Sequence, residues 1–294
     1  MSNLHQFYTK ILSLLHELEP MDNFLNQIRT PKASDKTLIA LTLAAESLGI
    51  DSERYLFKQL PDVLFGQIER SVYNRRRRQL GFKIEQFRQQ LVKQLSPASS
   101  CYLIDSMPLE TCKLSRANRS RICQDTEETA PDYGYCAPQK MPYFGYKIHA
   151  VCTQHGIFKA FDISKASTHD IHDIHYLNDV KNQLSHCVLV GDKGYLSRQY
   201  QHDLFDTAAI QLATPKRVNQ IDFEPFNPIF RKARKRIETL FSQLCDQFMI
   251  RRNYAKSFNG FATRILSKIT ALTMIQWINL RNGNHINNLK IVVT

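Results

Sequence analysis

Residues 189–195 read Leu189-Val190-Gly191-Asp192-Lys193-Gly194-Tyr195, an apolar run followed by an aspartate and a glycine-containing turn. The run predicts a short buried strand over residues 186–190, with Asp192 at its end. The same pattern occurs earlier, where Cys101-Tyr102-Leu103-Ile104 predicts a buried strand that ends at Asp105. Ligands of open α/β sheets bind at the carboxyl ends of strands, so Asp105 and Asp192 are candidates for one shared site.

Further apolar runs predict the rest of a sheet. Residues 144–153 and 156–163 are expected to form a hairpin around His155 and Gly156, and residues 210–213 a fifth strand. Helical periodicity lies between the later strands and again from about residue 229. A hairpin followed by alternating strands and helices predicts a mixed α/β sheet.

The first third of the chain has a different pattern. Residues 1–95 repeat apolar side chains at helical spacing, with turn residues between the short helices. We therefore predict a helical, helix-turn-helix-like DNA-binding domain over residues 1–97. The α/β domain is expected over residues 98–285, and a tail over residues 286–294.

The composition indicates a polyanionic partner. The 294 residues include 39 basic and 27 acidic side chains, a net charge of +12, and nucleic acid is the commonest partner of such a protein. No stretch of about 18 apolar residues predicts a membrane span, and no secretory signal opens the chain. Seven cysteines without a CxxC pair argue against a zinc module and favour reduced thiols in a cytoplasm.

A third carboxylate lies on the late helix. Glu238 falls near the margin of an apolar stripe that includes Ile237 and Phe241, so it is expected to lean over the sheet. Arg234, one turn earlier, is placed to hold Glu238 or to reach a phosphate. Two aspartates on adjacent strands would repel each other, and a divalent cation such as Mg²⁺ removes that repulsion.

Each carboxylate also has a simpler interpretation. An aspartate after a strand is commonly a turn residue or a helix cap, and a glutamate on a basic helix is commonly an ion-pair partner. The hypothesis of a site depends on all three together, in the order strand, strand, helix.

Three blocks carry a resemblance to a known family. They are residues 103–106 (LIDS), residues 190–195 (VGDKGY) and residues 234–244 (RKRIETLFSQL). Together they resemble the catalytic blocks of insertion-sequence DDE transposases, in particular the insertion sequence 982 family. The likeness extends through nearly the whole chain.

The resemblance implies a ribonuclease-H-like fold with a mixed five-stranded sheet. It implies two Mg²⁺ or Mn²⁺ ions held by Asp105, Asp192 and Glu238. It also implies in-line displacement, in which water frees a 3′-OH at the element end and that 3′-OH then attacks target DNA. Related transposases carry Tyr, Arg, Glu and Lys at fixed spacing on the last helix; here the Tyr position is Arg231 and the Lys position is Cys245.

Basic residues are the candidate DNA contacts. The run from Arg75 to Arg78 (Arg75, Arg76, Arg77 and Arg78) is expected to bind phosphates and base edges as part of a recognition helix. Lys193, Arg231, Arg234 and Lys235 surround the proposed carboxylate site. For the arginine run, the alternative is a solvated basic face.

Two other patterns receive structural interpretations. The cluster His169 to His175 resembles a metal site, but its apolar spacing fits the start of a helix with charged caps. The aromatic residues between Tyr133 and Tyr146 are expected to serve mainly in packing.

Three functions are compatible with the sequence: a transposase, a structure-selective nuclease of the same fold, and a helix-turn-helix regulator whose carboxylates are only structural. The first predicts double-stranded DNA as partner, both as inverted repeats and as target. It also predicts a homodimer in the DNA complex, because two ends must be held together, and a location with the nucleoid in a bacterial cytoplasm.

Overall fold

A computed structural model describes residues 3–96, 99–168, 180–195, 197–216 and 223–290. The chain forms two compact units. The first contains Met1–Leu95 together with Leu244–Thr294, and the second contains Ser96–Gln243. Within the part of the chain that is described, no helix is long and apolar enough to cross a membrane.

The first unit is helical. Its elements are α1 (Asn3–Leu18), α2 (Asp35–Ser47), α3 (Glu53–Lys58), α4 (Arg70–Gln79), α5 (Gly81–Leu95) and the long C-terminal helix α8 (Phe258–Arg281). The apolar stripe of α1 is buried as its spacing predicts. Ser52 caps α3 and Ser34 caps α2 through side-chain hydrogen bonds. Asp35, the first residue of α2, is fully buried.

Helix α8 lies at the centre of this unit. It is buried along almost its whole length. The Lys268 ammonium forms a buried ion pair with Glu46 of α2, and the Trp277 indole donates to Gln94 Oε1 of α5 over 2.8 Å. Residues 244–285, assigned from the sequence to the second domain, therefore pack with the N-terminal helices.

The described part of the predicted tail contacts α8. The Asn279 side-chain amide donates to the carbonyls of Ile286 and Asn288, and Leu289 is buried. Residues 286–290 are thus held against α8.

The second unit is built on one mixed sheet. Its strands are β1 (Cys101–Cys112), β2 (Asp132–Cys136), β3 (Met141–Thr153), β4 (Phe158–Lys165), β5 (Cys187–Val190) and β6 (Ile210–Ala213). β3 pairs antiparallel with both β1 and β4, while β5 is parallel to β1 and β6 is parallel to β5. The order β4-β3-β1-β5-β6 is the ribonuclease-H-like arrangement, so the predicted fold class is confirmed.

A sixth strand extends this sheet beyond the prediction. β2 pairs with residues 141–145 of β3, and β4 pairs with residues 146–152 on the same edge. The two strands therefore share one edge of β3, end to end. Residues 110–143 lack a clear periodic pattern, because β2 is short and most of its side chains are half-buried or exposed.

The two faces of the sheet are covered by different helices. Tyr102 and Ile104 point to the face where α6 (Arg198–Ala208) packs through Leu204. Leu103 and Asp105 point the other way, because successive side chains of a strand alternate. On that face Phe158 contacts Phe241 of helix α7 (Pro228–Asp246).

Candidate active site

The parallel ladder of β1 and β5 ends just before the two aspartates. Leu103 is the partner of Val190 in its last pair. Asp105 and Asp192 each lie two residues beyond that pair, and the negative charge of Asp192 acts on Asp105, whose side chain lies on the face covered by α7. The sequence predicted that Asp105 ends its strand; instead β1 continues to Cys112, because β3 pairs along that whole length. Only β5 ends there.

Backbone amides orient both aspartates. Asp105 Oδ1 accepts a hydrogen bond from the Ser106 N–H over 2.9 Å, and Asp192 Oδ1 accepts one from the Gly194 N–H over 2.7 Å. Asp192 thereby caps the tight turn at 193–195. The second oxygen of Asp192 makes no hydrogen bond among the described residues, whereas the second oxygen of Asp105 faces Arg234.

Gly191 allows this turn to pack closely on β1. A Cβ at residue 191 would lie 3.1 Å from Ile104 Cγ2 and 3.3 Å from the Tyr195 ring. Tyr195 is buried in the core on the α6 face. The glycine before Asp192 thus lets the turn fold back on the sheet without displacing that ring.

Helix α7 supplies the remaining charged groups. Ile237, Leu240 and Phe241 form its buried stripe, and Arg234 and Glu238 lie at one margin of that stripe. An Arg234 guanidinium nitrogen lies 3.6 Å from Asp105 Oδ2. The sequence placed Arg234 within reach of Glu238; the ion pair it forms is with Asp105, and the Glu238 side chain is exposed.

The electrostatics of Asp105 reflect its neighbours. Burial is the largest cause that raises the pKa of Asp105 to about 7. The Ser106 hydrogen bond and the Arg234 charge lower this pKa, while the negative charges of Asp192 and Glu238 raise it. The other two carboxylates are therefore within electrostatic range of Asp105, whose side chain is only 16% exposed.

The donor chemistry of this site suits a divalent cation. Carboxylate oxygens are the ligands that Mg²⁺ prefers, and a cation would offset the repulsion that Asp105 experiences. Among the described residues, however, no three or more His, Cys, Asp or Glu side chains are gathered closely enough to hold a metal ion. The Arg234 Nε is buried and makes no hydrogen bond within the described part of the chain, so this side chain can still bind an incoming oxygen.

Three further predicted contacts are exposed around this face. Lys193 follows Asp192, while Arg231 and Lys235 lie on α7 within one turn of Arg234. None of the three lies in an ion pair among the described residues, so their charges are available to an anionic ligand.

The predicted arginine run is corrected at two of its four positions. Arg76 is buried: it pairs with Asp35 over 2.6 Å and donates to the Ala33 carbonyl. Arg77 is also buried and pairs with Glu53 over 2.8 Å. Neither guanidinium can reach DNA, because α4 packs this side of the helix into the first unit. Arg75 is exposed and Arg78 is partly exposed.

The sequence indicated the carboxylates but not the partner of Arg234. No local pattern relates a helix near residue 234 to a strand near residue 105. The histidine cluster from His169 to His175 lies outside the described residues. The Tyr143 and Tyr146 side chains are buried, in agreement with packing, whereas Tyr133 and Tyr135 are exposed.

Comparison with known proteins identifies the family. A family model described as a transposase DDE domain matches residues 96–274, more than half of the chain. The chain belongs to the DDE transposase family. The matched region begins just before β1 and includes every DDE-site element described above.

Other comparisons add little to this DDE assignment. The chain is similar to a solved structure, a Mos1 transposase paired-end complex with left transposon end, at 10% sequence identity and a TM-score of 0.24. The similarity covers 88% of this chain and 85% of that chain. So distant a likeness supports no detail of this site. No curated protein matches the sequence.

Proposed function

We propose that this chain is the DNA transposase of a bacterial insertion sequence. In this proposal it binds the terminal inverted repeats, cleaves DNA to expose 3′-OH ends and joins those ends to target DNA. The observation that supports the proposal is that the partly buried Asp105, just beyond the β1–β5 ladder, pairs with Arg234 and lies within electrostatic range of Asp192 and Glu238.

The proposed catalytic and metal-binding residues are Asp105, Asp192 and Glu238. They would hold two Mg²⁺ or Mn²⁺ ions, which when bound activate the attacking oxygen and stabilise the leaving 3′ oxygen. The chain's own contribution is positional. The Ser106 and Gly194 amides orient the two aspartates, and the shielding of Asp105 from water strengthens its attraction for any cation.

Arg234 is the proposed phosphate contact at this site. Its guanidinium pairs with Asp105 at 3.6 Å, and its Nε is buried without a hydrogen bond among the described residues. A scissile-strand phosphate oxygen would satisfy that Nε with a charge-assisted hydrogen bond. Arg234 would thus link the carboxylate site to the substrate backbone.

Other basic residues are proposed to bind DNA beyond the scissile phosphate. Lys193, Arg231 and Lys235 extend the positive surface around the site, and Arg75 and Arg78 offer charge on the first unit. Phosphate contacts of this kind position the duplex without reading its sequence. A homodimer in the DNA complex, located with the nucleoid in a bacterial cytoplasm, would hold two ends together.

Incubation of the protein with its own element ends, with and without Mg²⁺, tests this proposal. Mapping of the free ends should show Mg²⁺-dependent cleavage that leaves a 3′-OH, followed by joining to a second duplex. Asp105→Asn, Asp192→Asn and Glu238→Gln should each abolish cleavage while DNA binding persists. Cleavage without joining would instead identify a nuclease, and binding without any cleavage a regulator.

A further inference from the structure

Helix α7 presents two opposite flanks beside its buried stripe. Successive residues of a helix are rotated by about 100°, so Arg231, Arg234 and Glu238 share one flank, toward Asp105. Lys232 and Arg236 fall on the other flank. The proposed function uses the first flank and Lys235, on the exposed back of the helix, and it leaves Lys232 and Arg236 without a role.

The second flank lines a groove of about 600 Å³ with the turn between β3 and β4. Its lining is Gln154, Ile229, Lys232, Ala233, Lys235, Arg236 and Thr239. Three of these side chains are cationic and none is a carboxylate. Across the described ranges, no ion pair involves Lys232, Lys235 or Arg236, so this positive charge is not neutralised within the chain.

Charge decides which partner suits this groove. Covering uncompensated cations with an ordinary protein surface is costly, whereas a phosphate backbone neutralises them and releases its own counterions. From Lys232 to Thr239 the helix rises about 10 Å, which matches about three phosphates of one strand. Gln154 and Thr239 add neutral hydrogen-bonding groups suited to phosphate oxygens.

We propose that this groove binds the phosphate backbone of the target duplex, the DNA that receives the cleaved end. The inference rests on the proposed transposase function. The cleaved end lies at the carboxylates, on the opposite flank of α7, which leaves the groove for the second duplex. The target phosphate under attack would reach the same carboxylates, and the groove would hold the target backbone next to that phosphate.

The test measures cleavage and joining separately with the full-length protein. Lys232→Glu reverses an exposed charge in the groove, and Arg236→Gln removes a second charge with little change in size. Lys140→Glu is the matched control, since Lys140 is exposed at the opposite end of β3. Cleavage is followed on intact element ends. Joining is followed with pre-cleaved ends and a labelled duplex of unrelated sequence.

The inference predicts that Lys232→Glu cleaves element ends within about twofold of the wild-type rate but joins pre-cleaved ends at least about tenfold more slowly. The salt dependence of target capture should weaken by about one phosphate contact, a slope change of roughly 0.9. Lys140→Glu should match the wild type in both assays.

Three outcomes would contradict the inference that the groove binds target DNA. Unchanged joining by both groove variants would show that the groove does not contact target DNA. A parallel loss of cleavage and joining would assign the groove to the element end. Loss of self-association by Lys232→Glu would assign it to a second copy of the chain. If the wild-type protein neither cleaves nor joins, it is the proposed function that fails.

Discussion

Asp105 holds a carboxyl group where little water reaches it, and its pKa is raised to about 7. The folded protein therefore binds more protons than the unfolded chain between about pH 4 and pH 7, and its stability falls as the pH rises through that window. The full shift corresponds to at most about 4 kcal/mol, less any screening by water.

We expect Asp105→Asn to be inactive yet more stable than the wild type in EDTA at pH 8, by roughly 1–3 kcal/mol. The amide keeps the shape of the side chain and removes its buried charge. Urea unfolding at pH 5 and pH 8 measures the difference, which should grow with pH. Asp206→Asn, at an exposed carboxylate of α6, should show no such growth. Parallel pH profiles for Asp105→Asn and the wild type would contradict the prediction.

Arg234 is expected to act through geometry as well as charge. Arg234→Lys keeps the charge but loses the planar fork, so it should retain DNA binding and slow cleavage, while Arg234→Ala should slow it further. Single-turnover rates at saturating Mg²⁺ measure the effect. If Arg234→Ala cleaves DNA at the wild-type rate, Arg234 has no part in cleavage and forms only a surface ion pair.

The arginine run separates into structural and binding positions. Arg76→Ala would leave Asp35 as an unpaired buried charge, so we expect a loss of about 3–5 kcal/mol in the free energy of unfolding. Arg75→Ala should change that free energy by less than about 0.5 kcal/mol and weaken DNA binding, with a salt slope smaller by about one contact. Unchanged DNA binding by Arg75→Ala would remove Arg75 from the interface.

At the scale of elements, β1 shows which part of a strand its local sequence pattern predicts. Residues 101–105 predicted the strand and its acidic residue correctly, because an apolar run is a local signal. The continuation to Cys112 was missed, because residues 106–112 include Ser106, Pro108 and Glu110 and are held by pairing with distant β3. Long-range pairing has no signature within a short window.

The close approach of β1 and β3 depends on Gly145. Its φ is +154°, and a Cβ at this position would lie 2.2 Å from the Leu109 carbonyl oxygen, beside the irregular register at residues 110–112. We expect Gly145→Ala to destabilise the second unit by at least about 3 kcal/mol. Thermal unfolding would measure it.

Gly81→Ala is the matched control for that substitution. Gly81 is helical, and its added Cβ would lie at an ordinary 3.7 Å from Thr263 Oγ1. The change should be neutral or stabilising, by up to about 1 kcal/mol. Equal effects of the two substitutions on thermal unfolding would show that the close approach of β1 and β3 at Gly145 does not determine stability.

At the scale of the whole molecule, the assignment of α8 was the main difference from the sequence prediction. The apolar pattern of α8 predicted a helix, but such a pattern does not identify the helices that pack on it. In the structure these are α2, through the Glu46–Lys268 ion pair, and α5, through the Gln94–Trp277 hydrogen bond. For the site, the sequence predicted the three carboxylates from spacing and resemblance, while the Asp105–Arg234 pair required the fold.

We therefore expect residues 1–95 alone to lack a cooperative unfolding transition. Without α8 the fragment exposes apolar faces and leaves Glu46 without Lys268 and Arg264. Joining residues 1–95 to residues 244–290 by a flexible linker should restore cooperative unfolding in urea, followed by circular dichroism. A cooperative transition in the isolated fragment, at the stability of the linked form, would contradict this.

The division of the first unit between the two ends of the chain also sets an order of events during translation. The ribosome completes residue 95 and must then synthesise residues 96–257 before α8 begins. At about 5–20 residues per second, this interval is roughly 8–32 s. During that interval α2 and α5 lack α8, so the N-terminal helices of each nascent transposase complete their packing only after the second unit has been synthesised.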